Sequence, residues 1–208
     1  MIVLVRHGET DANARGLALG RADPPLTGRG LVQAQRLAAR FATPAGATGA
    51  TGGSAIGMNP AAVVRTSPLQ RARQTADAIA GALGLGVVVD DRLVEMDYGE
   101  WDGLSFSEIP ADALARWHAD PSLVPPGGES LDAVGARMAD FCEELITGSV
   151  IAVSHVSPIK AAVVWALGTG QELAWRMFLD LASVTRIAQR AGAASLVGYN
   201  DTSHLAPE

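Results

Sequence analysis

The stretch "MIVLVRHGET" (residues 1–10) decides the fold, because it joins an apolar run directly to residues of the types that form ligand sites. The run at 1–5 is short and rich in Ile and Val, which predicts a buried central strand. Arg6, His7 and Gly8 follow where that strand ends. Since ligands of open α/β sheets bind just beyond the carboxyl ends of strands, a ligand site is expected here.

Apolar strand patterns alternate with helical patterns along the rest of the chain. This alternation predicts an α/β fold with a mainly parallel sheet that is covered by helices on both faces. The apolar spacing of the first long helix puts Leu31, Ala34, Leu37, Ala38 and Phe41 on one stripe. Strands are predicted at 1–5, 61–65, 87–90, 149–155, 183–189 and 195–199, and helices at 28–41, 67–83, 105–118, 131–146 and 158–167.

Two further local patterns predict where a helix begins and where a loop lies. Ser67 and Pro68 are expected to begin the 67–83 helix, as N-cap and first helical residue. Residues 43–57 have neither a helical nor a strand period and no charge, so they are expected to form a flexible loop within one domain.

Composition limits the classes of protein that this chain can be. With 208 residues, 48% of them hydrophobic, we expect one domain over 1–208 with one sizeable core. The net charge of −6 argues against nucleic acid or an anionic membrane as a partner. Cys142 is the single cysteine, and we expect it to be a small buried hydrophobic residue of the 131–146 helix.

The same survey predicts no metal, no cofactor and a cytoplasmic location. One cysteine leaves no cysteine-based metal framework, and the His, Asp and Glu residues show no metal-ligand spacing. Neither a leader-like segment nor about 18 consecutive apolar residues occurs in the sequence, so we expect a protein without a membrane span.

Two predicted strands end on a histidine. His7 follows the first strand, and His155 follows the strand at 149–155. Parallel pairing of these strands would bring both histidines to one edge of the sheet, beside the start of the helix that contains Arg71. Free N–H groups and partial positive charge at a helix start favour an anion, so the pattern predicts a phosphate site.

Spacing alone leaves alternatives at several of these positions. A single histidine at a strand end is more often structural, although Arg6 beside His7 makes that interpretation weaker. Arg71 cannot be separated by spacing from its rivals, nor can Glu95 from the other carboxylates of its stretch. The rivals of Arg71 are Arg40, Arg65 and Arg73, and those of Glu95 are Asp97 and Glu100.

Five stretches in order resemble the signature of the histidine phosphatase superfamily, also called the phosphoglycerate-mutase-like family. They are "VRHGET" (5–10) with Asn13, "GRADPPLTGRGLVQAQRLA" (20–38), "TSPLQRARQTA" (66–76), "RLVEMDYGEWDG" (92–103) and "VSHVSPIK" (153–160). The last stretch is similar to the branch that includes acid phosphatases and α-ribazole phosphatases. The resemblance covers nearly the whole chain and implies a three-layer, doubly wound α/β fold.

The resemblance also implies roles for particular residues. His7 would be the nucleophile that forms a phosphohistidine, with Arg6, Arg71 and His155 around the phosphate. Glu95 would donate a proton to the leaving oxygen. Asn13, Gly20 and Val156 would lie at the substrate. Leu19 replaces a polar residue common in the family, Val156 stands where glycine is commoner, and Lys160 stands where arginine is frequent.

Chemistry agrees with these implied roles. Charge in a phosphoryl-transfer transition state spreads over the equatorial oxygens, so two arginine forks would bind it well. The same arginines disfavour protonation of His7, which must be neutral to attack. The resemblance therefore implies a metal-independent phosphomonoester hydrolase that acts on a small phosphorylated metabolite.

Two alternatives are a cofactor-dependent phosphoglycerate mutase and a non-catalytic module that binds phosphorylated ligands. Family mutases tend to carry cationic residues in an insertion after the acid, whereas the corresponding region here, a lid-like insertion at about 96–130, has Arg116 as its sole Lys or Arg. The hydrolase is therefore favoured. Apolar residues of this insertion are expected to select the leaving group, or else to pack as a helical flap: Trp101, Leu104, Phe106, Ile109, Leu114 and Trp117. An edge strand near "SLVGYN" (195–200) could pair between subunits in a homodimer.

Overall fold

A computed structural model describes residues 1–43 and 63–205 of the chain. Within this part, a six-stranded sheet has the order β3-β2-β4-β1-β5-β6. Its strands are β1 (Ile2–Arg6), β2 (Val63–Thr66), β3 (Val87–Val89), β4 (Val150–Ser154), β5 (Val184–Arg190) and β6 (Ala193–Asp201). The α-helices are α1 (Asp11–Ala14), α2 (Gly28–Ala42), α3 (Gln70–Leu83), α4 (Ala111–Ala119), α5 (Leu131–Leu145) and α6 (Val156–Leu167).

Strand pairing places the carboxyl ends of β1, β2 and β4 side by side. β4 is parallel to β1, with Arg6 opposite Ser154, and parallel to β2, with Thr66 opposite Val153. β5 runs antiparallel to both of its neighbours, β1 and β6. The residues that follow β1, β2 and β4 therefore meet at one edge of the sheet.

Both faces of the sheet are covered, as the sequence predicts for a three-layer α/β fold. Ile2 and Leu4 of β1 pack into one buried cluster, whereas Val3 and Val5 pack into the other. Alternate residues of a strand point to opposite faces, and all four side chains are completely buried. The first cluster includes residues of α5 and α6, and the second includes residues of α2 and α3.

The predicted stripe of α2 is wrong at Leu31, which is 45% exposed. Gly30 and Gln33 lie on the buried face instead. A Cβ atom added at Gly30 would lie 2.2 Å from the carbonyl oxygen of Glu9, so this helix packs directly on the backbone there. Close contact at Gly30 turns Leu31 towards solvent.

The predicted start of the third helix is also wrong, because α3 begins at Gln70 with Leu69 as its N-cap. Ser67 continues the pairing of β2 with β4, since its N–H donates to the Val153 carbonyl at 3.0 Å. Its hydroxyl accepts a bond from the Leu69 N–H at 3.3 Å. Sheet pairing thus takes precedence over the local capping preference of Ser67.

Two other predictions about the elements have clear outcomes. The helix expected at 105–118 begins later, at Ala111, because Pro110 has no N–H and Ser105 forms a turn with Glu108. Cys142 is completely buried, as expected, and burial raises the pKa of its thiol to about 12. The loop expected at 43–57 lies, beyond Thr43, outside the described residues.

Most apolar side chains of the 96–130 segment belong to the core. Trp101, Ile109 and Trp117 are buried, and the Trp101 and Trp117 rings meet edge to face with centroids 5.6 Å apart. Leu104 and Leu114 pack partly buried against the same cluster. Phe106 differs from them, since it is 44% exposed.

The helices of the described residues are too short or too polar to cross a membrane.

Candidate active site

His7 is held at the end of β1 in a defined tautomer. Its main-chain N–H donates to the Ser154 carbonyl at 3.1 Å, which extends the pairing of β1 with β4. Its ring Nδ1 lies 2.6 Å from the Gly8 carbonyl oxygen. A carbonyl oxygen can only accept, so Nδ1 carries the proton and Nε2 keeps its lone pair. Nε2 is therefore the atom that can act as a nucleophile.

Both backbone polar groups of Gly8 hold the His7 ring in this arrangement. Its N–H donates to Thr75 Oγ1 at 3.2 Å, while its carbonyl accepts the bond from His7. A Cβ atom at Gly8 would lie 2.5 Å from the carbonyl oxygen of Gly30 in α2. Glycine is required here because the backbone of α2 passes so close.

The structure brings His155 next to His7, as parallel pairing predicts. The centroids of the two imidazole rings are 5.0 Å apart, and His155 is the N-cap residue of α6. Nε2 of His155 lies 2.8 Å from Ser67 Oγ. Its Nδ1 is buried and has no hydrogen-bond partner among the described residues. The second histidine therefore keeps one polar atom unsatisfied inside the site.

Arg71 and Arg6 carry the positive charge of the site. Arg71 is completely buried, and its Nη1 and Nη2 donate to the carbonyls of Ala22 at 2.7 Å and Gly20 at 2.8 Å. Arg6 Nη1 donates to the Leu179 carbonyl at 2.5 Å. Among residues 1–43 and 63–205, neither guanidinium forms a salt bridge, and the Nε of each is buried without a partner. Both arginines thus retain donor capacity for an anion.

The rivals of Arg71 are engaged elsewhere or exposed. Arg73, two residues further along α3, is exposed to solvent. Arg65 forms salt bridges with Asp90 at 2.8 Å and Glu144 at 3.3 Å, and Arg40 pairs with Asp201. Tertiary contacts separate these arginines physically, which their spacing in the sequence could not do, and they single out the arginine that the resemblance also implies.

Both histidines are kept neutral by their surroundings. Burial lowers the pKa of His7 well below its ordinary value, and the charges of Arg71 and Arg6 lower it further. Burial and then Arg71 do the same to the pKa of His155. Burial also lowers the pKa of Arg6 to about 10, which leaves its guanidinium protonated at neutral pH. The site therefore combines neutral imidazoles with cationic guanidiniums.

These lowered pKa values predict that the free energy of unfolding decreases as the pH falls below about 6.5, the ordinary histidine pKa. The unfolded chain takes up protons on these imidazoles in that range and the folded chain does not, so acid favours unfolding. Each such histidine contributes a slope of about 1.4 kcal/mol per pH unit. Urea unfolding between pH 7.5 and about pH 5 measures it.

The variant His7→Asn has one titrating imidazole fewer and serves as the control for this slope. Its free energy of unfolding should depend on pH less steeply than that of the wild type. Equal slopes for the two proteins would show that His7 is protonated in the folded state.

Glu95 is the buried carboxylate of its stretch and lies at the start of α6. Its Oε1 accepts bonds from the N–H groups of Met96 at 2.7 Å and Ser157 at 3.2 Å. Its Oε2 accepts one bond, from the Val156 N–H at 3.1 Å. Of its two rivals, Glu100 is exposed and Asp97 accepts a bond from the N–H of Gly99. Contacts to α6 thus place Glu95 immediately beside the residue that follows His155.

Of the three residues expected at the substrate, Gly20 and Val156 contact Arg71 and Glu95 directly, and Asn13 lines the same cavity as Arg6. Asn13 Oδ1 accepts the Thr10 N–H at 3.1 Å as part of the capping box of α1. Gly20 offers its carbonyl to Arg71, while its N–H donates to Asp102 Oδ1 at 2.8 Å. The N–H of Val156 is occupied by Glu95. The main-chain donors of Gly20 and Val156 are therefore already bound to carboxylates.

Sequence reasoning missed Ser67 and Asp102 as residues of this site. Asp102 accepts the N–H groups of Gly20 and Ala22, each at 2.8 Å, and so shapes the loop whose carbonyls hold Arg71. Ser67 contacts His155 across 88 residues of sequence. Both residues lie inside stretches that resemble the family, at 66–76 and 92–103, and that was the available signal. No spacing rule, however, connects either of them to its distant partner in the sequence.

Comparisons with known proteins agree with the resemblance drawn from the motifs. The profile of the histidine phosphatase superfamily (branch 1) matches residues 2–202. A bifunctional protein of Mycobacterium tuberculosis is 39% identical over 212 residues, which cover 98% of this chain and 54% of that protein. The chain therefore spans about half the length of the first curated relatives that it matches.

Solved structures match over almost the whole chain. A phosphoserine phosphatase variant from Entamoeba histolytica, in complex with phosphoserine, has a TM-score of 0.83 and 25% identity, covering 99% of this chain and 98% of that one. An α-ribazole phosphatase from Shigella flexneri has a TM-score of 0.78 and 27% identity, covering 96% of both chains.

Proposed function

Because this chain belongs to the histidine phosphatase superfamily, we propose that it is a phosphomonoester hydrolase acting through a phosphohistidine on a small phosphorylated metabolite. The observation that carries the proposal is the tautomer of His7, whose Nε2 keeps a lone pair in a site with two cationic guanidiniums. Phosphatases among the similar structures support the same class of reaction.

The first step forms a bond between His7 Nε2 and phosphorus and breaks the bond from phosphorus to the ester oxygen. Nδ1 keeps its proton and its bond to the Gly8 carbonyl, so the ring stays oriented during attack. Arg6, Arg71 and an Nδ1–H of His155 stabilise the charge that spreads over the equatorial oxygens. Each of these three side chains has a buried nitrogen without a partner in the described part of the chain, which supplies that capacity.

The leaving oxygen takes a proton from Glu95 in the same step. Oε2 is the oxygen suited to hold that proton, because it accepts one N–H group whereas Oε1 accepts two. In the second step Glu95 removes a proton from water, whose oxygen forms a bond to phosphorus while the bond from phosphorus to His7 Nε2 breaks, which releases inorganic phosphate. Glu95 is thereby returned to its protonated form and His7 to its neutral form.

A mutase would need cationic groups over the substrate from the 96–130 segment. Arg116 is 69% exposed and pairs with Asp112 one helical turn earlier. Such a surface pair gives no cation to a bound carboxylate. Water rather than a second phosphate acceptor therefore completes the proposed reaction.

The direct test is phosphate release from a panel of monoesters between pH 4 and pH 8, measured once with EDTA present and once with an added divalent metal. The proposal expects the full chain to release phosphate from at least one ester with EDTA present. Activity that requires an added divalent metal would contradict metal-independent hydrolysis. Isomerisation of phosphoglycerate that depends on a bisphosphorylated primer would instead identify a mutase.

Ser67 is expected to act as a positioning residue through His155. Its Oγ accepts the Leu69 N–H, so its hydroxyl can donate to His155 Nε2, which makes Nε2 the acceptor and places the single proton of the neutral ring on Nδ1. The change Ser67→Ala should lower kcat about 10- to 100-fold, with a smaller effect on KM, because the donor that faces the phosphate is no longer fixed.

Ser67→Thr is the control for this prediction, since it keeps the hydroxyl and should restore much of the lost activity. The ¹⁵N chemical shifts of His155 report its tautomer directly and should change in the alanine variant alone. An unchanged tautomer in Ser67→Ala would contradict the positioning role.

A further inference from the structure

A cavity of about 880 Å³ lies beside Arg6, which joins it to the phosphate site. Arg6 and Asn13 are among its lining residues. Two separate parts of the chain, the 96–130 segment and the loop before β5, contribute Phe106 and Phe178 to the lining. Its volume lies within the range of about 300 to 1,000 Å³ that is usual for small-molecule pockets.

Two phenylalanine rings at this cavity are unusually accessible to solvent. Phe178 is 73% exposed and Phe106 is 44% exposed, whereas Phe41 and Phe141 are buried in the core. Leu17 and Leu181 add further apolar surface to the same wall. Large apolar side chains that gather at the mouth of one cavity indicate a surface that a ligand covers.

The charged groups of the wall already have partners. Arg29 Nη1 pairs with Glu9 Oε2 at 3.1 Å. Asp180 Oδ2 accepts a bond from Asn200 Nδ2 at 2.8 Å. Beyond Arg6, the two charged side chains of the lining are thus hydrogen-bonded within the fold. The rest of the lining combines the aromatic and aliphatic surface with uncharged polar groups, including those of Gln33, Thr202 and Ser203.

We infer that this cavity binds the alcohol part of the substrate and that this alcohol carries an uncharged aromatic ring, held by Phe106 and Phe178. The inference rests on the proposed hydrolase function, because it places the phosphate at Arg6. Continuity of the cavity with Arg6 and Asn13 makes a phosphate ester, rather than a separate ligand, its occupant. Aromatic rings pack well against phenylalanine in offset or edge-to-face geometry.

The test compares 2-phenylethyl phosphate with ethyl phosphate and O-phosphoserine. All three esters have alkyl leaving groups, so differences in kcat/KM report recognition of the alcohol rather than its chemical reactivity. The wild-type protein should favour 2-phenylethyl phosphate over each of the others by at least about tenfold, which is within the discrimination that an apolar pocket provides.

Phe178→Ala and Phe106→Ala should each lower that preference severalfold, mainly through a higher KM for the ring-bearing ester. Leu167→Ala is the matched control, because Leu167 is 45% exposed at the end of α6 and does not line the cavity. Its preference should equal that of the wild type. All three substituted side chains are exposed in part, and circular dichroism checks that the variants fold.

Three results would overturn the inference while leaving the hydrolase in place. One is hydrolysis of ethyl phosphate as efficient as that of the ring-bearing ester. Another is an unchanged preference in both phenylalanine variants. The third is a preference for O-phosphoserine that Arg29→Gln removes, which would identify a carboxylate site. Failure of the proposed function itself is distinguishable, since then none of the esters releases phosphate.

Discussion

Phosphate release is expected to fall at least about 10,000-fold in His7→Ala, because the change removes the imidazole whose Nε2 attacks phosphorus in the proposed mechanism. The lone pair on Nε2 exists because Nδ1 donates to the Gly8 carbonyl at 2.6 Å. Alanine removes that nucleophile, yet it keeps the main-chain bond to Ser154 and the bond from Gly8 to Thr75. The fold should therefore persist, which circular dichroism and urea unfolding can check.

The matched control for this prediction is His118→Ala. His118 is exposed on α4, and the described structure gives it no place in the site. Its alanine variant should keep the activity of the wild type. Mass spectrometry of rapidly quenched wild-type enzyme should also find a phosphoryl group on the peptide that contains His7. Retention of more than a few per cent of wild-type activity in His7→Ala would exclude His7 as the nucleophile.

Glu95→Gln is expected to lower kcat/KM for alkyl phosphates by about 100- to 10,000-fold, the usual contribution of general acid catalysis. Glutamine keeps the shape of the side chain but has no proton to give to the leaving oxygen. Hydrolysis of p-nitrophenyl phosphate should fall far less, because its leaving group is stable as an anion. The ratio of the two losses is the quantity to measure.

Glu100→Gln is the control for this pair of measurements, since Glu100 is an exposed carboxylate only five residues further along. It should affect neither ester. Glu95→Gln can also replace the carboxylate oxygen that accepts the Val156 N–H at 3.1 Å by an amide group that donates. Urea unfolding of this variant should therefore be measured beside its kinetics, to detect any loss of stability. Equal losses on both esters would mean that Glu95 organises the start of α6 without transferring a proton.

Element order and sheet type could be predicted from local patterns. Apolar runs such as 1–5 and 149–155 become the central strands β1 and β4, because such runs gain most by complete burial. Local patterns predicted less well where tertiary contacts compete with them. Leu31 is exposed because Gly30 packs on Glu9, and Ser67 caps no helix because it continues the sheet.

The sequence by itself determined which strands are followed by histidine and arginine side chains suited to an anion, and its motifs identified the superfamily to which the chain belongs. Only the tertiary structure decided the partners of those groups. Arg71 differs from Arg73 because it is buried and donates to the carbonyls of Gly20 and Ala22. The ring of His155 is oriented by its hydrogen bond to Ser67. Periodicity reports which face of an element is buried, but not which distant residue meets it. Hydrogen bonds across long stretches of sequence depend on that meeting, and they set the tautomers and charges of this site.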